Sequence, residues 1–198
     1  VGNDEYARSN SSFGLTTLRK RHIEVKGSRL RLRFRGKSGI THEVSLQDRR
    51  IARIVRRCQA LPGQELFQYL DDAGDIHSIG SMDVNDYLRL LSGGEFTAKD
   101  FRTWHGSVHA LQLWGQLDAG DKASQTSTTA NQLLAEVARL LGNTVAVCRK
   151  SYVHPQVLAL LTGETPAGWT VSAIAPHRRR GLSACEREFL GFLKQAAI

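Results

Sequence analysis

Residues 29–35 read Arg-Leu-Arg-Leu-Arg-Phe-Arg, seven positions of strict alternation between charged and apolar side chains. A period of two is the signature of a half-buried β-strand, which places Leu30, Leu32 and Phe34 on a core face and Arg29, Arg31, Arg33 and Arg35 on the opposite one. Lys26-Gly27-Ser28 before the strand and Gly36-Lys37-Ser38-Gly39 after it supply turn chemistry, so His22–Lys26 and Ile40–Leu46 are expected as partner strands. The predicted unit is a small three-stranded antiparallel sheet. Four guanidiniums on one strand face repel one another unless an anion lies across them, and the alternative is a solvated charged face.

Charge is concentrated around this strand. Between Arg19 and Arg57 there are fourteen Lys or Arg against three acids (Glu24, Glu43 and Asp48), although the chain as a whole carries only +8. The rest of the chain is therefore net acidic. A local basic region on such a background is the footprint of a surface that tracks phosphates, so nucleic acid or an anionic membrane surface is the expected partner class. No apolar run approaches the roughly 18 residues of a spanning helix, and the first thirty residues lack an apolar signal core. The expectation is a soluble, cytoplasmic protein that uses no membrane.

Outside the basic strand the periodicity is helical. Residues 48–60 carry Ile51, Ile54, Val55 and Cys58 at spacings of three and four, and Pro62-Gly63 closes the segment. A short helix is predicted over Val84–Leu91, stopped by Gly93-Gly94. Thr97 reads as the N-cap of a longer helix through Leu117, interrupted or bent near Gly106. Thr128–Leu141 is another helix, ended by Gly142-Asn143, and Ser183-Ala184-Cys185-Glu186 is a capping box opening a last helix with Phe189, Leu190 and Leu193. Residues 118–127 and 162–181 read as loops, the second carrying the Arg178-Arg179-Arg180 run as a solvated cluster. The 198 residues, 41% of them hydrophobic, suffice for a packed core. The predicted fold class is mostly α (α+β), with one small three-stranded antiparallel sheet.

Several chemistries lack their residues. Gly36-Lys37-Ser38 resembles the end of a phosphate-binding P-loop, but the earlier glycine would have to stand where Arg31 is. His105 and His109 have the i, i+4 spacing of a zinc pair, yet no Glu follows His105 and no third ligand is suggested nearby, so no metal is expected. No Gly-x-Ser-x-Gly elbow occurs. Cys58, Cys148 and Cys185 are odd in number and widely spaced, and are read as buried thiols.

Four segments carry a resemblance. They are Val1-Gly2-Asn3-Asp4-Glu5-Tyr6 with Gly14-Leu15-Thr16-Thr17-Leu18; Phe34-Arg35-Gly36-Lys37; Lys99-Asp100-Phe101-Arg102-Thr103-Trp104; and Leu141-Gly142-Asn143 with Cys148-Arg149-Lys150-Ser151-Tyr152-Val153-His154-Pro155. In this order they resemble the catalytic domain of type IB DNA topoisomerases, especially bacterial members similar to the poxvirus enzyme. The resemblance implies a single catalytic domain over residues 1–198 with the helical fold of DNA breaking-rejoining enzymes. It further implies action on double-stranded DNA as a nucleoid-associated monomer, without cofactor, ATP or metal.

The chemistry asks for these residue types. Storing a phosphodiester bond without metal needs a nucleophile that can form an ester the freed DNA hydroxyl later displaces, and Tyr152 is the candidate. A phenol is ordinarily a weak acid, which makes nearby cations useful. Arg102 fits the clamp on the transition-state phosphate oxygens, and Lys37, on a turn of the basic strand, fits the acid that protonates the departing 5′ oxygen. Asn143 stands where many family members carry a histidine; its amide can donate to the same phosphate, and Gly142-Asn143 is equally a helix C-terminal signal. Tyr6 and Lys99 are similar to family positions that contact DNA, and Arg33 and Arg35 belong to the phosphate-tracking strand. The family places another catalytic arginine, and an amino-terminal clamp domain, ahead of the position of Val1, so the chain is expected to be a fragment impaired on its own. A tyrosine recombinase would usually show His-x-x-Arg and Gly-His where Lys99–Arg102 and Gly142-Asn143 stand. A non-catalytic DNA-binding module would have no use for Tyr152, Arg102 and Lys37 together.

Overall fold

In a computed structural model, residues 1–118, 120, 127–164 and 181–196 are described. They form eight α-helices, one three-stranded antiparallel sheet and one two-stranded hairpin, so the chain is mostly α with a small sheet. The chain divides into two compact units, Val1–Ala98 and Lys99–Ile198.

In the first unit the sheet has the order β1 (Ile23–Lys26), β2 (Arg29–Arg35), β3 (Thr41–Gln47). The pairing puts Leu30 opposite Val25 on one side and Leu46 on the other. His22 belongs to a 3-10 turn rather than to β1, and β3 starts one residue later than its sequence pattern suggests. The alternation of β2 holds: Leu30 is buried, Leu32 and Phe34 are half-buried, and all four arginines are exposed. Arg31 is not left to its neighbours' repulsion, because its Nε donates to Glu43 on β3 at 2.9 Å. The core gathers Phe13, Leu18, Ile23, Leu30, Ala52, Val55 and Leu66.

Helix α1 (Asp4–Asn10) is capped by Asn3, whose Oδ1 accepts from Tyr6 N–H at 3.1 Å. Helix α2 (Arg49–Ala60) is capped by Asp48 accepting from Ile51 N–H at 2.8 Å. Here the helical period predicted the element but not its inner face. Ala52 and Val55 are buried, whereas Ile51 and Ile54 are 41% and 47% exposed. A helix lying flat on a sheet needs a small residue at closest approach, and Ala52 supplies it. The hairpin of β4 (Gln68–Leu70) and β5 (Ile76–Ser78) follows, and α3 (Ser81–Ser92) begins three residues earlier than predicted.

The second unit is helical among its described residues. Helix α4 (Ala98–Gly115) starts directly after Thr97, with Ala98 N–H taken by Asn85 Oδ1 at 3.0 Å, and runs through Gly106 as one helix. Helix α5 (Ser127–Leu141) is followed by two helices not anticipated from the sequence, α6 (Val145–Ser151) and α7 (Pro155–Thr162), and by α8 (Ala184–Ala196). Their core contains Val108, Leu111, Leu134, Val137, Val157, Leu160, Phe189 and Phe192. Of the three cysteines only Cys148 is buried; Cys58 and Cys185 are half-buried on helix flanks, which corrects the reading of all three as buried thiols. The Arg178–Arg180 run and most of the two predicted loops lie outside the described residues. No helix among the described residues is long and apolar enough to cross a membrane.

Candidate nucleic-acid active site

Tyr152 sits where α6 ends. Its N–H and that of Val153 both donate to Cys148 O, at 3.0 and 3.1 Å, so the chain turns out of the helix at the tyrosine and leaves the ring half-buried. The Arg102 guanidinium on α4 lies over that ring, 4.9 Å from its centroid. Arg102 Nη2 also donates to Leu141 O at 2.7 Å, and Asn143 Nδ2 donates to the same carbonyl at 3.1 Å. Arginine, asparagine and tyrosine, drawn from three segments of the sequence, thus meet at the C-terminal end of α5. Arg102 Nε is buried and has no hydrogen-bond partner among the described residues. Glu95 pairs with Arg89, at 3.2 Å. An open cavity of about 430 Å³ flanks Arg102, lined also by Phe101, His105, His109 and Leu141.

Asn143 has a structural duty as well. Its N–H donates to Ala138 O at 2.9 Å and Gly142 N–H to Arg139 O at 3.3 Å, with Gly142 at φ 62°, the Schellman ending of α5. The backbone closes the helix, while the side-chain amide is aimed back at Leu141 O beside Arg102.

Several residues the sequence did not flag hold Tyr152 in place. A Cβ on Gly106 would lie 2.4 Å from Tyr152 O, so α4 carries glycine there to let the tyrosine backbone approach, not to bend. Next to it on the same helix, the wholly buried Ser107 donates to Thr103 O at 2.7 Å and accepts from His154 N–H at 2.9 Å. Thr103 Oγ1 lies 3.3 Å from Ser151 O. Cys148 lies under this segment, its thiol pushed up by burial against the opposing pull of Arg102. His154 Nδ1 accepts from Gln156 N–H at 3.3 Å as the cap of α7, and burial lowers its pKa, so it is held as a neutral ring. The sequence signal was there: Thr103, Gly106 and Ser107 are small residues on one stripe of an otherwise bulky helix.

In the first unit, Lys37 opens the 3-10 turn Lys37–Gly39 between β2 and β3 and is exposed. The turn is closed by Gly36 N–H donating to Ile40 O at 2.7 Å. Lys37 and Tyr6 line one cavity of about 410 Å³ together with Val1, Gly2, Asn3, Phe13 and Gly14. Gly2 N–H donates to Thr16 Oγ1 at 3.0 Å, and a Cβ on Gly14 would lie 2.0 Å from Val1 O. That close approach of two backbones joins segments 1–6 and 14–18, and the cavity beside them is shared with Lys37. Arg33 and Arg35 are exposed on the sheet face, and Lys99 is exposed on the first turn of α4.

The sequence profile of the family described as eukaryotic DNA topoisomerase I, catalytic core, matches residues 1–166. The DNA topoisomerase 1B of Acanthamoeba polyphaga mimivirus is 32% identical over 168 residues, covering 81% of this chain and 50% of that protein. The chain belongs to the type IB DNA topoisomerase family. It spans about half the length of that curated relative. Membership favours the topoisomerase reading over the tyrosine-recombinase alternative.

In this topoisomerase-family chain, α8 is tied to the helix that bears Arg102. Ser183 N–H donates to Glu186 Oε2 at 2.8 Å, completing the predicted capping box, and Trp104 Nε1 on α4 donates to Glu186 Oε1 at 3.0 Å. These donors, the Ser183 backbone first and the Trp104 indole second, hold the Glu186 pKa at about 2, down from 4.5. A carboxylate with a depressed pKa contributes stability that is fully present above its unfolded value and lost as pH falls toward its folded one. Melting temperatures of wild type and Glu186→Gln should therefore differ by a constant amount from neutral pH to about pH 5, and the gap should close as pH falls toward about 2. A gap independent of pH would show that the ionised carboxylate does not stabilise this junction.

Proposed function

We propose that this chain nicks and reseals one strand of duplex DNA through a 3′-phosphotyrosyl ester on Tyr152, relaxing supercoils without ATP or metal. The observation that carries the reading is the Arg102 guanidinium stationed over the Tyr152 ring with a buried Nε whose hydrogen-bonding capacity is unmet. An unsatisfied buried donor is costly, and a phosphate oxygen would satisfy it.

In the reaction the Tyr152 phenol gives up its proton to solvent as its oxygen attacks the scissile phosphorus, the bond from phosphorus to the 5′ oxygen breaks, and a proton passes to that oxygen. Lys37 is assigned as the donor of that proton; a flexible ammonium on an exposed turn suits the task. Arg102 and the Asn143 amide oppose the negative charge that develops on the non-bridging oxygens. Resealing is the reverse: the 5′ hydroxyl gives its proton to the neutral Lys37 amine as it attacks the phosphotyrosine, and the phenolate leaves and is reprotonated from solvent. The Arg33 and Arg35 guanidiniums, with Tyr6 and Lys99, hold the duplex, and torsional strain drives rotation about the intact strand. The enzyme acts as a monomer in the cytoplasmic nucleoid.

The direct test is to trap the ester. Full-length protein is mixed in EDTA with a nicked duplex whose short fragment bearing the new 5′ hydroxyl dissociates after cleavage, and denatured with detergent. A covalent adduct is expected on the strand bearing the 3′ phosphate, through Tyr152 in peptide mapping. No adduct, or one that requires a divalent ion, would overturn the proposal.

A further inference from the structure

The two edges of the three-stranded sheet in unit 1 are protected very differently. Strand β1 is four residues long, carries the Lys26–Glu24 ion pair at 2.6 Å, and has its Ile23 carbonyl taken by Gln59 Nε2 of α2 at 3.4 Å. Strand β3 runs seven residues, Thr41–Gln47, and among the described residues pairs with β2 alone. That leaves roughly 23 Å of open edge, at about 3.4 Å per residue, whose backbone N–H and C=O groups have no ladder partner. Folded sheets ordinarily guard such an edge with lysine, proline, a bulge or a covering element. Residues 41–47 contain neither lysine nor proline, and their unbroken register with β2 holds no bulge. Their one formal charge, Glu43, is engaged by Arg31 at 2.9 Å.

The two faces beside that edge differ in chemistry. On one, Val44 is 47% exposed between the half-buried His42 and Leu46. On the other, Thr41, Glu43, Ser45 and Gln47 stand opposite Arg35, Arg33, Arg31 and Arg29. Of these arginines only Arg31 has an acidic partner among the described residues. We propose that the open edge of β3 receives an extended segment of a partner protein as a fourth strand, one whose residues alternate between apolar and acidic. Main-chain hydrogen bonds complete the ladder, apolar side chains cover Val44, and carboxylates turn to the arginine face. Neighbouring strands lie about 4.8 Å apart, so a glutamate on the added strand stands about 9.6 Å from the β2 backbone, a gap that its side chain and an arginine close together. A second copy of the chain suits the edge less well, because antiparallel pairing of β3 with itself would set two rows of β2 arginines on one face. The carboxylates and the duplex share Arg33 and Arg35, so the segment competes with DNA. That competition rests on the reading, given above, that the β2 face holds the duplex that is cut.

The probe is a fluorescein-labelled peptide of about ten residues, alternating glutamate and valine, titrated into full-length protein and followed by anisotropy. Saturable binding is expected, with hydrogen exchange slowed at the amides of Thr41–Gln47. In a strand, only one alternate set of N–H groups faces a given neighbour. Of two peptides methylated at every valine nitrogen or at every glutamate nitrogen, one should therefore lose affinity by about tenfold or more while the other keeps it. These peptides test the ladder on unaltered protein. Val44→Asp, which puts a charge on the apolar side of the edge, should weaken the peptide by about tenfold or more and leave duplex binding within about twofold of wild type. A peptide of alternating lysine and valine should bind at least about tenfold more weakly than the acidic one. Equal affinity of the two methylated peptides, exchange protection that spares β3, equal binding of the lysine peptide, or a dimer in light scattering that buries β3 would each overturn the proposal. Protein that binds duplex but not the acidic peptide would bring down this inference alone. Peptide held at β3 yet not displaced by excess duplex would support the docking edge and bring down the reading of the β2 face as the duplex site.

Discussion

Tyr152→Phe is expected to reduce plasmid relaxation to the assay floor, a loss of about four orders of magnitude or more, while leaving duplex binding within about twofold of wild type. The substitution removes one oxygen and nothing else that the fold uses. The Tyr152 backbone still donates to Cys148 O, the Gly106 contact involves only the Tyr152 carbonyl, and a phenyl ring still offers a face to Arg102. The melting temperature should therefore hold, with a stability change under about 1 kcal/mol. Inactivity together with a preserved fold and preserved binding assigns the phenol to the chemical step. Relaxation by the phenylalanine variant at more than a hundredth of the wild-type rate would remove Tyr152 as the nucleophile.

Arg102→Ala should slow single-turnover formation of the covalent adduct by about 10³-fold. Losing one donor to a developing oxyanion costs on the order of 10² to 10³ in rate, and a guanidinium can supply two. Arg102→Lys keeps the charge but not the planar fork, so it should recover only part of the loss. A second readout separates chemistry from scaffolding. Arg102 also donates to Leu141 O, so the alanine variant leaves that carbonyl with the Asn143 amide. The removal should lower stability by about 1 kcal/mol, far too little to account for the rate. An adduct rate within tenfold of wild type would sink the clamp assignment.

The relation of β2 to its arginines illustrates how much of the molecule is written locally. A strand declares itself by a period of two because its side chains alternate by geometry, whatever surrounds it, and the capping box at Ser183–Glu186 and the glycine ending of α5 are equally local. The inner face of α2 was misjudged for the converse reason. Ile51, Ile54 and Val55 fit a helical stripe by hydrophobicity, but which side of a helix meets a sheet is decided by closest approach, so Val55 shares the inner face with Ala52 while Ile51 and Ile54 stay exposed. Helices α6 and α7 escaped detection because each is short, seven and eight residues, and depends on packing more than on its own propensity.

The sequence alone determined the class of fold, the basic strand, the identities of the candidate nucleophile and cations, and the family to which their order belongs. These follow from residue chemistry and short-range spacing, which the chain carries without folding. Only the tertiary structure decided that Arg102, Asn143 and Tyr152 share one corner around Leu141 O, and that Gly106 is there for a carbonyl rather than a bend. Residues 39 to 50 positions apart meet only when helices pack, and packing is settled by the shapes of many side chains at once rather than by the pattern of any one segment.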